Sequence, residues 1–170
     1  FFFFFYIGRN NIFQIFTSFS ILLFVLGLDQ AYVREFHETE NRFSLFKVCF
    51  IPGLLLLTLA IIASLPFAGD ISKLLYGERE PLWYLITAGC VILSFIARFL
   101  SLVVRMQERG LAYSASQILP KLVLIAILIA YILFGADHVY TNLLYANLVS
   151  VFLVVLIFSW NTKSDWLPAA

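Results

Sequence analysis

Polar side chains recur along one apolar stretch at Thr87, Ser94, Arg98, Ser101, Arg105 and the pair Glu108/Arg109. The steps between them are seven, four, three, four, and three or four residues, which return to one face of a helix. Two readings compete for such a face. Long arginine side chains near a membrane surface can snorkel to the headgroups. Alternatively, the helix faces a water-filled interior, where guanidinium groups bind an anion and hydroxyls bind a polar head. An arginine at mid-membrane costs about 2.5–3.5 kcal/mol on insertion scales, and snorkelling does not require serines aligned with the arginines. The chemistry this face offers is anion binding, with Arg98 and Arg105 foremost.

Thinner polar faces lie elsewhere. Asn11, Gln14 and Ser18 follow steps of three and four, and Asn147 and Ser150 form a second short group. Such residues serve either as hydrogen-bonding links between helices or as contacts to a polar ligand. Lys121, just after Pro120, can snorkel or turn into the same space as Arg105. The stretch Gly27 to Glu38 (GLDQAYVREFHE) places acids, an amide, aromatics and bases where an apolar run meets a charged segment. It reads either as an ordinary helix end at the lipid headgroups, with His37 a solvated interfacial residue, or as the cytoplasmic rim of a polar pathway, with Asp29, Gln30, Glu35 and His37 as rim residues and Arg34 as a further anion contact. If the helix continues outward, Gln30, Arg34, His37 and Asn41 share a face, and Arg34 can pair with Glu38.

Enzyme chemistry has little support. No nucleophile–base spacing, phosphate-binding glycine loop or paired membrane acids stand out. Cys49 and Cys90 both sit in apolar runs and read as small hydrophobes. His37 and His138 are far apart, so no metal site and no cofactor are expected.

These residues must be carried by membrane helices. The 170-residue chain is 62% hydrophobic and 12% charged, against about 45–50% and about 25% in soluble domains. A spanning helix needs about 20 apolar residues. That predicts an all-α, polytopic transmembrane bundle in one lobe, 1–160. It holds a partial first helix at 1–7, a polar turn at 8–11, and five spans at about 12–28, 48–67, 82–104, 118–134 and 140–160. Residues 69–81 read as a loop, Trp83 and Tyr84 as interface anchors, 135–138 as a turn, and 161–170 as the start of a linker. Eight of the eleven Lys and Arg residues fall at the ends shared by the first, third and fifth exits, leaving Arg9, Lys73 and Arg79 opposite. By the positive-inside rule the first group, and the end of the chain, is cytoplasmic. The opening Phe run reads as the tail of a helix, and the chain as a piece of a longer transporter.

Two segments carry a family resemblance. Leu26 to Glu38 (LGLDQAYVREFHE) resembles the second-helix exit of bacterial polysaccharide-lipid flippases. Arg105 to Lys121 (RMQERGLAYSASQILPK) resembles the link between their fourth and fifth helices. These proteins belong to the multidrug/oligosaccharidyl-lipid/polysaccharide exporter superfamily. The resemblance implies one six-helix lobe of a twelve-helix, MATE-like transporter in the bacterial cytoplasmic membrane. The implied substrate is an undecaprenyl-pyrophosphate-linked oligosaccharide, moved to the outer leaflet for O-antigen or related polymers. On this reading Arg98, Arg105, Arg34 and Lys121 are candidates for the pyrophosphate, and Ser94, Ser101, Gln14 and Asn147 for sugar hydroxyls. Expected partners are the lipid-linked oligosaccharide, membrane lipids and polysaccharide polymerase or assembly proteins, with no nucleic acid; no coupling ion is indicated. The alternatives are a cation-coupled drug exporter, which would want an acid deep among the helices, and a non-transporting scaffold, which would pack dry.

Overall fold

The computed structural model describes residues 2–25, 27–77, 79–134 and 139–161. The expected turn at 135–138 and the expected linker from 162 onward lie outside the described residues. Every regular element among the described residues is helical: α1 Phe2–Val25, α2 Leu28–Glu35, α3 Arg42–Ser64, α4 Ala68–Tyr76, α5 Pro81–Met106, α6 Gly110–Leu133 and α7 Val139–Asn161, with a 3-10 turn at Leu65–Phe67 between α3 and α4.

Four stretches are long and apolar enough to cross a membrane: Arg42–Tyr76, Pro81–Met106, Gly110–Leu133 and Asn142–Asn161. A fifth is added if Gly8–Val25 and Leu28–Glu35, whose axes differ by 54°, form one bent span. The chain is thus a multi-pass membrane protein. Its outer faces agree, since Leu55 and Leu59 of α3 and Leu122 and Ile125 of α6 are all more than half exposed. Water would penalise such apolar surface, whereas lipid accepts it.

Three local expectations are corrected. The polar residues 8–11 do not break the chain, because α1 runs through them. Two of their side chains find protein partners: Asn147 Nδ2 donates to Asn10 Oδ1 at 3.4 Å, and the Arg9 guanidinium lies against Gly77 at the C-terminal end of α4, where a cation suits the helix dipole. A helix so supplied has no reason to stop, and no separate partial helix precedes the first span among the described residues. The expected loop at 69–81 is mostly α4, which ends at Gly77 with φ +80°. At 1.5 Å per residue the 35-residue run Arg42–Tyr76 spans about 52 Å, more than the hydrocarbon thickness of about 30 Å. Its outer part, α4, folds onto α5 and α1 rather than ending as loop. Finally, Trp83 and Tyr84 turn inward. Tyr84 is 5% exposed, its hydroxyl bonded to Ser64 Oγ and to Ile61 O, while Trp83 packs edge-on against Tyr76.

α5 is the axle. It packs against every other α-helix and contributes the most buried residues, whereas α6 contributes only Ser116. Pro81 at its first turn has no N–H to leave unsatisfied. The core against α5 is aromatic. Phe95 and Phe99 lie 5.1 Å apart, Phe50 meets both, and Phe46 stacks on Phe50 at 5.1 Å. Into this cluster α2 inserts Tyr32, whose ring stands edge-on to Phe46 at 6.3 Å, and just past its end comes Phe36, over whose ring the Arg42 guanidinium lies at 4.6 Å. These rings fix α2 on α3.

Candidate functional site: a cationic cleft on the central helix

With α1 and α2 on one side of α5 and α6 and α7 on the other, a cleft of about 580 Å³ opens along α5. Its floor is the stripe read from the sequence: Ser94, Arg98, Ser101 and Arg105. Lys121 lines the α6 wall; Gln14 on α1 and Asn147 on α7 line the two sides, and Asp29 comes in from α2. Helical spacing on α5 and the packing of α1, α6 and α7 around it bring seven of the eight candidate ligand contacts to one place, with Arg34 the exception. The first turns of α6 add Tyr113, Ser116 and Gln117. Spans at 82–104 and 118–134 leave residues 105–117 as a polar connection rather than a helix face, whereas α6 begins at Gly110. The spacing of these three residues with Lys121 was the available signal.

Other candidates lie elsewhere. Arg34, Gln30 and Glu35 are exposed on α2 outside the cleft. His37 borders a separate hollow of about 480 Å³ with Arg42, Glu108 and Arg109. The anticipated polar face through Gln30, Arg34, His37 and Asn41 does not form, because α2 stops at Glu35. The amide of Thr39 turns back to Glu35 O at 3.0 Å, and Asn41 instead caps α3, its Oδ1 accepting from Ser44 N at 3.2 Å. Arg34 and Glu38 make no ion pair among the described residues. Thr87 shares the azimuth of the stripe but not the cleft. It is 1% exposed, donates to Trp83 O at 2.7 Å and bonds the Tyr76 hydroxyl, because α4 covers that end of α5.

Among the described residues lining the cleft are Arg98, Arg105 and Lys121, against one carboxylate, Asp29. Arg98 Nη2 donates to Asp29 Oδ2 at 2.8 Å, with side chains 41% and 18% exposed respectively. A charge-assisted bond of this length is among the stronger kinds. Arg105 and Lys121 have no ion-pair partner among the described residues. The hydroxyls and amides are partly committed to the fold. Gln14 Nε2 donates to Asn147 Oδ1 at 3.0 Å, Asn147 Nδ2 donates to Leu143 O at 2.9 Å, and Ser101 Oγ donates to Ser116 Oγ at 3.1 Å. Gln14 and Asn147 thus act as links between α1 and α7. Ser94 and Gln117 leave polar atoms for a ligand.

The opposite end of the bundle is organised differently. Arg79 donates through Nε to Asp70 Oδ1 at 3.1 Å; that hydrogen bond, and next the carboxylate's charge, raise the guanidinium above its already high range. The end that holds Arg9, Lys73 and Arg79 is separated from the end that holds Arg42 and Arg109, as alternating spans require.

Comparison with protein-family models, curated proteins and solved structures finds no match to this chain.

Proposed function

We propose that the chain is one lobe of a flippase that carries undecaprenyl-pyrophosphate-linked oligosaccharide from the inner to the outer leaflet of the bacterial cytoplasmic membrane by alternating access. The observation that carries the reading is the cleft, in which Arg98 and Arg105 on α5 and Lys121 on α6 line a common space. A pyrophosphate–sugar head cannot enter hydrocarbon without losing its hydration, while its polyprenyl tail can stay in the bilayer. Guanidinium and ammonium groups replace that hydration with charge-assisted hydrogen bonds, and hydroxyls and amides along the cleft suit sugar. The eight-to-three distribution of basic residues supports a cytoplasmic Arg42/Arg109 end, and Arg105, close to that end of α5, lines the cleft. The segments Leu26 to Glu38 and Arg105 to Lys121, which carry the resemblance to polysaccharide-lipid flippases, are also the ones that supply Asp29, Arg105 and Lys121 to the cleft.

The test is polymer export in cells producing the complete protein. Each charged hydrogen bond removed is worth about 1.5–3 kcal/mol, so Arg98→Ala combined with Arg105→Ala is expected to lower surface polymer about tenfold or more while membrane levels stay unchanged. Normal surface polymer from the double variant would sink the reading. A second reading, cation-coupled drug export, is favoured by one observation: Asp29 lies in the cleft and is mostly enclosed. Drug resistance lost with Asp29→Asn, and polymer unaffected by the arginine changes, would select it. A scaffold would fill the space that the cleft leaves open.

A further inference from the structure

The Arg98–Asp29 pair spans 69 residues of sequence, and its two halves are held very differently. Asp29 is fixed. Its Oδ1 accepts from Gln30 N at 2.9 Å, its side chain is 18% exposed, and its helix is pinned by Tyr32 and Phe36, at 0% and 3% exposed. Arg98 is loosely held. Its side chain is 41% exposed, and its contact to Asp29 is through Nη2. It shares the cleft with Arg105 and Lys121. A long arginine can turn from Asp29 toward an anion in the cleft with no helix moving.

Building on the anionic-head reading above, we infer that Asp29 is a built-in competitor for Arg98. It holds the guanidinium between ligands, yields it to a pyrophosphate-type dianion, and takes it back as the head leaves. Arg105 and Lys121 together match a dianion in charge. Arg98 joins only by leaving Asp29, so apparent affinity is reduced by the fraction of Arg98 already committed. A carrier benefits, because a head held by three unopposed cations would be slow to leave. Asp29 is therefore a positioning residue that acts through Arg98 and sets how tightly the head is held.

The experiment is a double-mutant cycle on the full chain in nanodiscs of zwitterionic phosphatidylcholine, so that no anionic headgroup competes. Inorganic pyrophosphate is the probe, and its Kd is measured by titration calorimetry for wild type, Asp29→Asn, Arg98→Ala and the double variant. Asp29→Asn is expected to tighten binding about fivefold or more, the low end of ordinary linkage. In the Arg98→Ala background the same change should have little effect, and Asp29→Glu should restore wild-type affinity. An equal gain with and without Arg98 would mean that Asp29 acts only through its general field, and would overturn the inference while leaving the pyrophosphate site standing. An unchanged Kd in Asp29→Asn overturns it as well. If no variant binds pyrophosphate, the anionic-head reading fails and the inference falls with it. In cells, tighter binding accompanied by reduced polymer export in Asp29→Asn is the split a merely structural role would not produce.

Discussion

Gln14 and Asn147 lie 133 residues apart and share a 3.0 Å hydrogen bond. Asn147 is 5% exposed, and its amide also reaches Leu143 O and Asn10 Oδ1, so most of its capacity is spent within the bundle. Polar links of this kind average about 0.6 kcal/mol in membrane proteins. A Gln14→Ala/Asn147→Ala cycle, read by unfolding in detergent, is expected to give a coupling energy of about that size. Zero coupling would return both residues to the ligand. Spacing alone could not choose between link and ligand contact, because both put a polar side chain on an inward face. Only the partner's position separates them.

The close approach of helices depends on particular glycines. A Cβ on Gly53 would stand 2.7 Å from Phe95 Cζ and 3.1 Å from Phe24 O, so Gly53 lets α3 sit against both α1 and α5. Gly53→Ala is expected to destabilise by about 1–3 kcal/mol, the range for overpacking, and trimming Phe95 to Leu should recover part of it. Thermal unfolding of the pair checks this, and an unchanged midpoint for Gly53→Ala would refute the packing. At Gly27 the cause is different. Nothing lies within 4 Å of a Cβ there, but φ is +76°, where an L side chain costs about 1–2 kcal/mol. Gly27→Val should therefore lose stability, and Gly27→Asn, which tolerates this region, should lose less; equal losses would argue against a backbone origin. The sequence shows Gly27 before a change of character. That the chain bends by 54° there is a backbone dihedral no side-chain pattern specifies.

At the scale of the whole molecule, the helices leave a cleft lined by polar residues along α5 and exposed apolar surface on α3 and α6. Cysteine labelling distinguishes these surfaces. With Cys49 and Cys90 replaced, a water-soluble maleimide is expected to modify Ser94→Cys and Ser101→Cys in membranes but not Ile125→Cys on the outer face of α6. Protection of both cleft positions would mean a dry interface and favour the scaffold. Labels at Glu40 and Glu80, at the two ends of the bundle, should react from opposite sides of the membrane. Reaction from one side only would break the alternating topology.

Composition and periodicity by themselves determined that the chain is helical, that it crosses a membrane several times, and that Ser94, Arg98, Ser101 and Arg105 share a face. Hydrophobic length and helical period are local properties, written in consecutive residues. The tertiary structure decided which part of that face stays open: α4 packs over the Thr87 end, while Arg98 lines a cleft shared by α1, α5, α6 and α7. It also decided that the first helix continues through residues 8–11, where Asn10 meets Asn147 on α7 and Arg9 meets Gly77 at the end of α4. And it placed Asp29, expected only at the rim, against Arg98. That pairing joins helices distant in sequence, and no spacing rule encodes it; it follows from the bend at Gly27 and from the aromatic anchors that seat α2 beside α5.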